Sequence, residues 1–178
     1  RCTTPVVAVW DAEMILPYKQ IDESLDMIMN GKAAMVIPYD QTVLFLSEEQ
    51  TVASLRADSI LEHLQLHSAS YRRWLGRPSC GGLFFVNREV YLKCGGENEH
   101  FYGWGPEDAE RVRRMEILGY PVGVNTEGPL YHLWHPRGDN SRFFNRQLAS
   151  NSRLELIRIC NMDTKELTDD VASWRNQK

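Results

Sequence analysis

Two carboxylates that stand one residue apart, Asp11 and Glu13 in the segment WDAE, are the first residues that could do chemistry. They follow the continuous apolar run PVVAVW, which is typical of a strand buried on both faces of a parallel sheet. Ligands of open α/β sheets bind beyond the carboxyl ends of the strands, so a divalent cation and a phosphate could meet here. The simpler alternative is that the aspartate only forms the turn after a strand.

Two histidines three residues apart, His132 and His135 in the segment YHLWH, form the second group. Side chains at this spacing can converge on one metal ion from a helical turn or a tight loop. Imidazole together with carboxylate suits Mn²⁺ better than Ca²⁺. Taken alone, the pair is better explained without a metal, by one histidine that packs beside Trp134 and another that is solvated.

The third group lies in the segment FYGWGPEDAERVRR, residues 101–114, where glycines flank Trp104 and an acidic pair, Glu107 and Asp108, follows Pro106. Negative charge in the first turn of a helix is favoured by the helix dipole, so a helix that begins at Glu107 explains the carboxylates. It does not explain the two glycines, which free the indole to be presented to a ligand.

The elements that must position these groups mix strands and helices along the chain. Hydrophobic periodicity and capping signals predict a strand at 5–10, a helix at 21–31, and two strands separated by a turn within 33–47. They further predict one helix over 47–68 with a capping-box glutamate, a strand and helix over 81–96, a helix and strand over 107–124, a strand end near 130, and a helix over 145–162.

Length and composition indicate one globular domain that can bury about 70% of the surface of its unfolded chain. The chain has 178 residues, of which 43% are hydrophobic and 25% charged, and no apolar run approaches the roughly 18 residues of a membrane span. A net charge of −4 argues against a nucleic-acid partner, because phosphate backbones require a positive field. Arginines do gather within 72–77, 111–114 and 137–146, and most are expected on solvated helix faces.

The four cysteines are scattered without a CxxC pair, which excludes a zinc knuckle and a dense disulfide framework but leaves one disulfide open. There is no Asn-x-Ser/Thr acceptor and no secretory signal, which favours a cytosolic setting. Because the chain begins at Arg1 without a methionine, it is also compatible with a fragment of a longer protein, and a missing signal is then weak support.

Taken in order, the motifs resemble those of metal-dependent GT-A glycosyltransferases. The likeness is to the C-terminal half of the β-1,4-galactosyltransferase family and to bacterial capsule glycosyltransferases of the chondroitin-polymerase type. The matching segments are DAE at 11–13, CGGLFFVNREVYLKCGG at 80–96, FYGWGPEDAERVRR at 101–114 and YHLWH at 131–135. Their order and spacing are more specific than any one motif, and the GWGxED block is the strongest.

This resemblance implies an α/β fold with a mixed sheet flanked by helices, in which the N-terminal βα units of the GT-A fold are absent. It places a catalytic region at residues 1–165 and a tail at 166–178. Asp11 and Glu13 match the Asp-x-Asp that holds the metal and the sugar nucleotide, with Glu13 as the direct ligand. His135 matches the metal histidine, and His132 a position that in some members contributes a further ligand.

The remaining motif residues match positions that handle the two sugars. Trp104 corresponds to the loop tryptophan that closes over the donor, and Gly81 and Gly82 to a pair that lines the donor sugar. Glu107 and Asp108 correspond to the acidic pair that binds the acceptor, with Asp108 as the catalytic base.

The activity implied is the inverting transfer of a hexose or N-acetylhexosamine from a UDP-sugar to a saccharide acceptor, with Mn²⁺ or another divalent cation. Polysaccharide or capsule biosynthesis in the bacterial cytoplasm is the expected setting, with the Golgi lumen as the eukaryotic alternative. Three departures from the family pattern stand out: the N-terminal βα units are missing, Glu13 replaces an aspartate, and Pro106 replaces a loop glycine and stiffens the hinge. A non-catalytic carbohydrate-binding or regulatory remnant, and a metal-dependent hydrolase, are the alternatives.

Overall fold

The computed structural model describes residues 2–74, 76–102, 105–138 and 145–175. The strands are β1 Val6–Trp10, β2 Met14–Ile15, β3 Met35–Ile37, β4 Val43–Phe45, β5 Arg72–Arg73, β6 Leu83–Asn87, β7 Val122–Val124 and β8 Leu130–His132. The helices are α1 Tyr18–Met29, α2 Glu48–Leu55, α3 Ile60–Leu66, α4 Arg88–Lys93, α5 Glu107–Ile117, α6 Arg146–Cys160 and α7 Thr164–Arg175, and a short 3₁₀ helix covers Ser68–Ser70.

The strands form two mixed sheets of four strands each. In the first sheet the order is β1-β6-β3-β7, with β3 and β7 parallel and the other pairs antiparallel. In the second the order is β2-β8-β4-β5, with β4 and β8 parallel. Helices flank both sheets, so the predicted GT-A-like α/β fold class is confirmed. The chain passes from the first sheet to the second after β1, β3 and β7, and the first of these connections carries Asp11 and Glu13.

The prediction for β1 is wrong in two respects. This strand lies at the edge of its sheet, and among the described strands it pairs only with β6, in antiparallel orientation. Its last residues, Val9 and Trp10, are 38% and 39% exposed, so the strand is not buried on both faces. A run of β-branched residues specifies an extended backbone but does not encode which strands lie beside it. The antiparallel register pairs Trp10 with Leu83, which brings the end of β1 to the start of β6.

The segment 47–68, expected as one helix, forms the two helices α2 and α3. Ser47 caps α2 in a capping box whose partner is Gln50 rather than the expected glutamate. Ser59 then caps α3 by accepting a hydrogen bond from the backbone N–H of Glu62. A second serine able to cap a helix start makes a new helix as favourable as continuation of the first one.

Both faces of the central strands β3 and β6 are covered. One face packs into a core that spans the two sheets and includes Val36 and Phe85. The opposite face, with Met35 and Phe84, packs beneath α4 and α5 through Met115. As predicted, α4 is followed by a pair of glycines with positive φ, and α5 begins at Glu107. The first turn of α5 is therefore packed on the first sheet, at the end where β1 meets β6.

Residues 166–175, expected as part of a tail, belong to helix α7 instead. Leu167 and Val171 are buried in a cluster with Ile159 of α6. The guanidinium of Arg158 also pairs with the carboxylate of Asp170, with Nη1 donating to Oδ1 at 2.9 Å. The last turns of the described chain are thus packed against α6.

Each cysteine of the chain is a free thiol, so the disulfide that the sequence left open is not formed in this structure. Within the described residues, no helix combines the length and the apolar character that a bilayer crossing requires.

Candidate active site

A cleft of about 650 Å³ opens between the two sheets and the start of α5. It is lined by every sequence-predicted site residue that the structure describes, namely Asp11, Glu13, Gly81, Gly82, Glu107, Asp108, His132 and His135. Trp104 lies outside the described residues. Residues up to 124 positions apart in the sequence are therefore gathered around one cavity.

Pairing of β2 with β8 brings Glu13 to the two histidines. Met14 lies opposite His132 in the sheet, and the backbone N–H of Leu133 donates to the carbonyl oxygen of Glu13 at 3.0 Å. As a result, Oε1 of Glu13 lies 3.7 Å from Nε2 of His132 and 3.5 Å from Nε2 of His135. One ligand atom from each of the three residues falls within 4.8 Å of the others, a separation that a single cation could bridge.

Both imidazoles are held in the orientation that a metal ligand requires. Nδ1 of His132 lies 2.7 Å from the carbonyl oxygen of Leu133, and Nδ1 of His135 lies 3.1 Å from that of Pro136. Each Nδ1–H donates to its carbonyl, which leaves the lone pair of each Nε2 directed toward Glu13. Burial lowers the pKa of His132, so the neutral ring that can bind a cation is favoured.

Stacked aromatic rings pack against this pair of histidines. The ring of Phe45 stacks on His132 at 3.9 Å between centroids and on Trp74 at 4.4 Å. The rings of His132 and His135 also stack, at 5.3 Å. The sequence offered packing of one histidine beside Trp134 as the alternative to metal binding. In the structure His132 stacks on Phe45 instead, and the ring nitrogens of both histidines still converge on Glu13.

Asp11 lies at the junction of β1 and β6, where its backbone N–H donates to the carbonyl oxygen of Gly82 at 3.0 Å. Its carboxylate is outside the Glu13–histidine group but faces the same cleft. Desolvation, with the nearby charges of Glu13 and Asp108, raises the pKa of Asp11. Three carboxylates thus approach one another at this end of the cleft, and a bound cation would relieve their repulsion.

The two glycines of the cleft wall are required by close contacts. A Cβ on Gly81 would lie 2.2 Å from Oδ2 of Asp108. Gly82 has a φ of +85°, and a Cβ there would lie 2.6 Å from Cε of Met14. The hydroxyl of Tyr39 donates to the carbonyl oxygen of Gly81 at 2.6 Å and fixes this turn.

The acidic pair at the start of α5 is divided between two environments. Asp108 accepts a hydrogen bond on Oδ1 from Nη1 of Arg111 at 2.8 Å, and its side chain remains 32% exposed. Oε2 of Glu107 is buried without a hydrogen-bond partner among the described residues. Burial, with a smaller contribution from the charge of Asp108, raises the pKa of Glu107 to about 7. Pro106 precedes both as the N-cap of the helix.

Sequence reasoning missed several cationic groups of the site. Arg111 and Arg114 were expected on a solvated helix face, but their side chains are only 4% and 1% exposed. The spacing of Arg111 three residues after Asp108 was the available signal, because such pairs meet on a helix. Arg111 and Arg114 lie behind the cleft wall, and the described arginines that line the cleft itself are Arg77, Arg137 and Arg153.

The comparisons with known proteins agree with this site. Residues 62–136 match a family model described as the N-terminal domain of galactosyltransferase. Over 61 residues the chain is 34% identical to beta-1,4-galactosyltransferase 7 of Mus musculus and to the protein of the same name in Homo sapiens. Each match covers 32% of this chain and 19% of the relative, so the chain spans about a fifth of the length of the curated relatives it matches.

The family match contains both glycines, the acidic pair and both histidines, whereas Asp11 and Glu13 lie outside it. The strand pairing that carries these two carboxylates into the same cleft is an observation independent of the match. In motif order, mixed-sheet fold and family match, the chain is similar to galactosyltransferases of the GT-A type.

Proposed function

We propose that this chain carries the catalytic region of a metal-dependent, inverting glycosyltransferase. In this proposal a hexose or N-acetylhexosamine moves from a UDP-sugar to a glycan or polysaccharide acceptor. The observation that carries the proposal is that one cleft is lined both by Glu13, His132 and His135 and by Glu107 and Asp108. A metal-binding group and an acidic pair facing one cavity are the two components that sugar transfer needs.

The donor set fits a divalent transition metal. One carboxylate oxygen and two imidazole nitrogens approach within 4.8 Å of one another, and this combination suits Mn²⁺ better than Ca²⁺. When bound, such an ion supplies a Lewis acid that neutralises charge on a departing diphosphate. Arg77 and Arg137 line the same cleft and add positive charge for an anionic donor.

Asp108 is assigned as the general base. A sugar hydroxyl is a weak nucleophile, so a carboxylate within hydrogen-bond reach must accept its proton as the new bond forms. The acceptor oxygen bonds to the anomeric carbon, the bond from that carbon to the phosphate oxygen breaks, and the proton passes to Asp108. One displacement from the face opposite the leaving group inverts the anomeric centre.

Glu107 is assigned to the acceptor sugar. Because its pKa is raised to about 7, a neutral carboxylic acid is substantially populated near neutral pH and can donate a hydrogen bond to a sugar oxygen. Its buried Oε2 has no partner among the described residues, and a bound hydroxyl could provide one. Trp104 is proposed to close over the donor, and stiffening by Pro106 would limit that motion.

The direct test is transfer by the purified chain with Mn²⁺, a panel of UDP-hexoses and UDP-N-acetylhexosamines, and saccharide acceptors. Formation of a glycosidic product of inverted configuration is the expected result. Calorimetry provides the second measurement, because the enzyme should bind a UDP-sugar only when metal is present. Glycan binding that needs no metal, without transfer, would instead support the carbohydrate-binding remnant. Release of free sugar in the absence of acceptor would support a hydrolase.

The biological setting is a proposal as well. Capsule or polysaccharide synthesis in the bacterial cytoplasm is proposed over a role in the Golgi lumen, on the resemblance of the motifs to bacterial capsule glycosyltransferases. Detection of the native protein in a membrane-enclosed compartment would contradict it.

A further inference from the structure

We propose that Arg111 is a positioning residue that holds the carboxylate of Asp108 for catalysis; this inference rests on the glycosyltransferase function proposed above. Arg111 does not itself line the cleft, and its side chain is 4% exposed. Its Nη1 donates to Oδ1 of Asp108 at 2.8 Å. Arg111 can therefore act on a bound substrate only through Asp108.

The guanidinium of Arg111 is fixed by groups outside the cleft. Its Nε and Nη2 donate to the two carboxylate oxygens of Glu97 at 2.8 and 2.6 Å, a bidentate pair. The hydroxyl of Tyr91 donates to the same Glu97 at 2.5 Å, and the guanidinium lies 4.2 Å from the ring centroid of Phe84. One edge of the guanidinium is thus paired with Glu97 and one face lies against Phe84, so this rigid group is held with Nη1 directed toward Asp108.

The other oxygen of Asp108 is set by the glycine wall. Oδ2 lies where a side chain at Gly81 would begin, with only 2.2 Å to an ideal Cβ. With Oδ1 bonded to Arg111 and Oδ2 against Gly81, the plane of the carboxylate is defined from both sides. The two oxygens are then no longer equivalent: Oδ1 has a protein partner and Oδ2 keeps its lone pairs for an incoming hydroxyl proton.

A second arginine on the same helix provides the contrast. Arg114 pairs with Glu110, both side chains are 1% exposed, and its remaining N–H groups donate to the carbonyl oxygens of Cys94 and Gly96. Every one of these partners is part of the protein interior or backbone. Arg111 differs because one of its donors ends on a half-buried carboxylate that faces the cleft.

The charge of Arg111 is retained despite its burial. Desolvation acts to lower the pKa of Arg111, but the hydrogen bond to Glu97 and the charge of Asp108 outweigh it and raise that pKa. A permanent positive charge 2.8 Å from Oδ1 strengthens the hydrogen bond that orients the carboxylate of Asp108. Burial of the guanidinium costs desolvation free energy. The orientation of a carboxylate in the cleft by its Nη1 gives a reason for that cost.

The test compares Arg111→Met, Arg111→Lys and the double variant Glu97→Met/Arg111→Met in steady-state transfer assays on the full chain. We expect Arg111→Met to lower kcat at least tenfold while the KM for the UDP-sugar changes less than twofold. Arg111→Lys should recover part of kcat, because it keeps the charge but not the fork. The double variant removes the unpaired glutamate and can restore stability, yet its kcat should stay low.

Arg113→Met is the matched control, since Arg113 is on the same helix but is exposed and pairs only with exposed Glu116 among the described residues. Recovery of wild-type kcat in the double variant would mean that Arg111 is only structural, and unchanged kcat in Arg111→Met would overturn the positioning role outright. A wild-type chain that transfers no sugar from any UDP-sugar would contradict the proposed function and this role together. An active wild type with insensitive Arg111 variants would contradict this role alone.

Discussion

Oδ2 of Asp108 lies so close to Gly81 that the Cβ of any other residue at position 81 would come within 2.2 Å of it. Gly81 lies in the turn that leads into β6, and Asp108 lies in the first turn of α5. Their contact therefore joins the first sheet to this helix at the cleft. This distance is shorter than any non-bonded contact between a carbon and an oxygen atom. A side chain at position 81 would therefore have to displace the carboxylate of Asp108.

Gly81→Ala should displace the carboxylate of Asp108 and lower kcat about 100-fold, because misplacement of a reacting group by roughly 1 Å has that effect. Transfer kinetics with saturating donor measure the change. Gly76→Ala is the control, since a Cβ there meets nothing within 4 Å and should leave kcat unaltered. Full activity in Gly81→Ala would show that the catalytic carboxylate does not depend on this contact.

Asp108→Asn should lower kcat by about 10² to 10⁴, because the amide cannot accept a proton from the acceptor hydroxyl. Binding of the UDP-sugar, measured by calorimetry in the presence of Mn²⁺, should be largely unchanged. Asp22→Asn, at an exposed position on α1, is the control for a lost carboxylate. Normal turnover in Asp108→Asn would remove Asp108 from the role of base.

Glu13→Ala and His135→Ala should each raise the Mn²⁺ concentration needed for half-maximal activity by at least tenfold, because each removes one of three converging ligands. Titration of Mn²⁺ against both activity and calorimetric heat measures this shift. His63→Ala is the control, since the ring of His63 contacts that of His67 and does not line the cleft. An unchanged metal titration would exclude the substituted residue from the metal site.

Glu107→Gln should alter how stability depends on pH. The pKa of Glu107 is about 7 in the folded chain and 4.5 as its ordinary value, so the folded state holds this proton more tightly. Its contribution to stability is complete below about pH 4.5 and is lost as pH rises through about 7.

Urea unfolding of both proteins between pH 5 and pH 8 measures this contribution. The free energy of unfolding of the wild type, relative to Glu107→Gln, should fall steadily across that range. Parallel curves for the two proteins would mean that Glu107 titrates normally.

Leu167→Ala should lower the free energy of unfolding by about 2–5 kcal/mol, because the side chain is fully buried between α6 and α7 and its removal leaves a cavity. Chemical denaturation measures the loss, with exposed Leu154→Ala as the control, for which little change is expected. A neutral Leu167→Ala would mean that the C-terminal helix does not belong to the folded domain.

Local patterns in the sequence were sufficient for much of the fold. The glycine pair after α4, the acidic start of α5 and the helical periodicity of α1 and α6 each act over a few residues, so they could be read without tertiary information. The resemblance carried by the order of the motifs implied the GT-A type of fold and a shared site for the carboxylates, histidines and glycines. Six of these eight residues stood out from type and spacing, the two glycines followed from the resemblance, and all eight line one cleft in the structure.

Other features depend on which elements meet, and no local pattern encodes that. The apolar run of β1 suits a central strand as well as an edge strand, and only sheet pairing makes it the edge. Arg111 suits a solvated helix face until the packing of α5 over Phe84 and Glu97 buries it. Likewise, burial, with a smaller contribution from the charge of Asp108, raises the pKa of Glu107 above that of a surface carboxylate. The sequence by itself determined the chemical groups and the elements that carry them. The tertiary structure decided their protonation, their partners and the direction in which they point, because burial and charge proximity arise only when distant segments pack together.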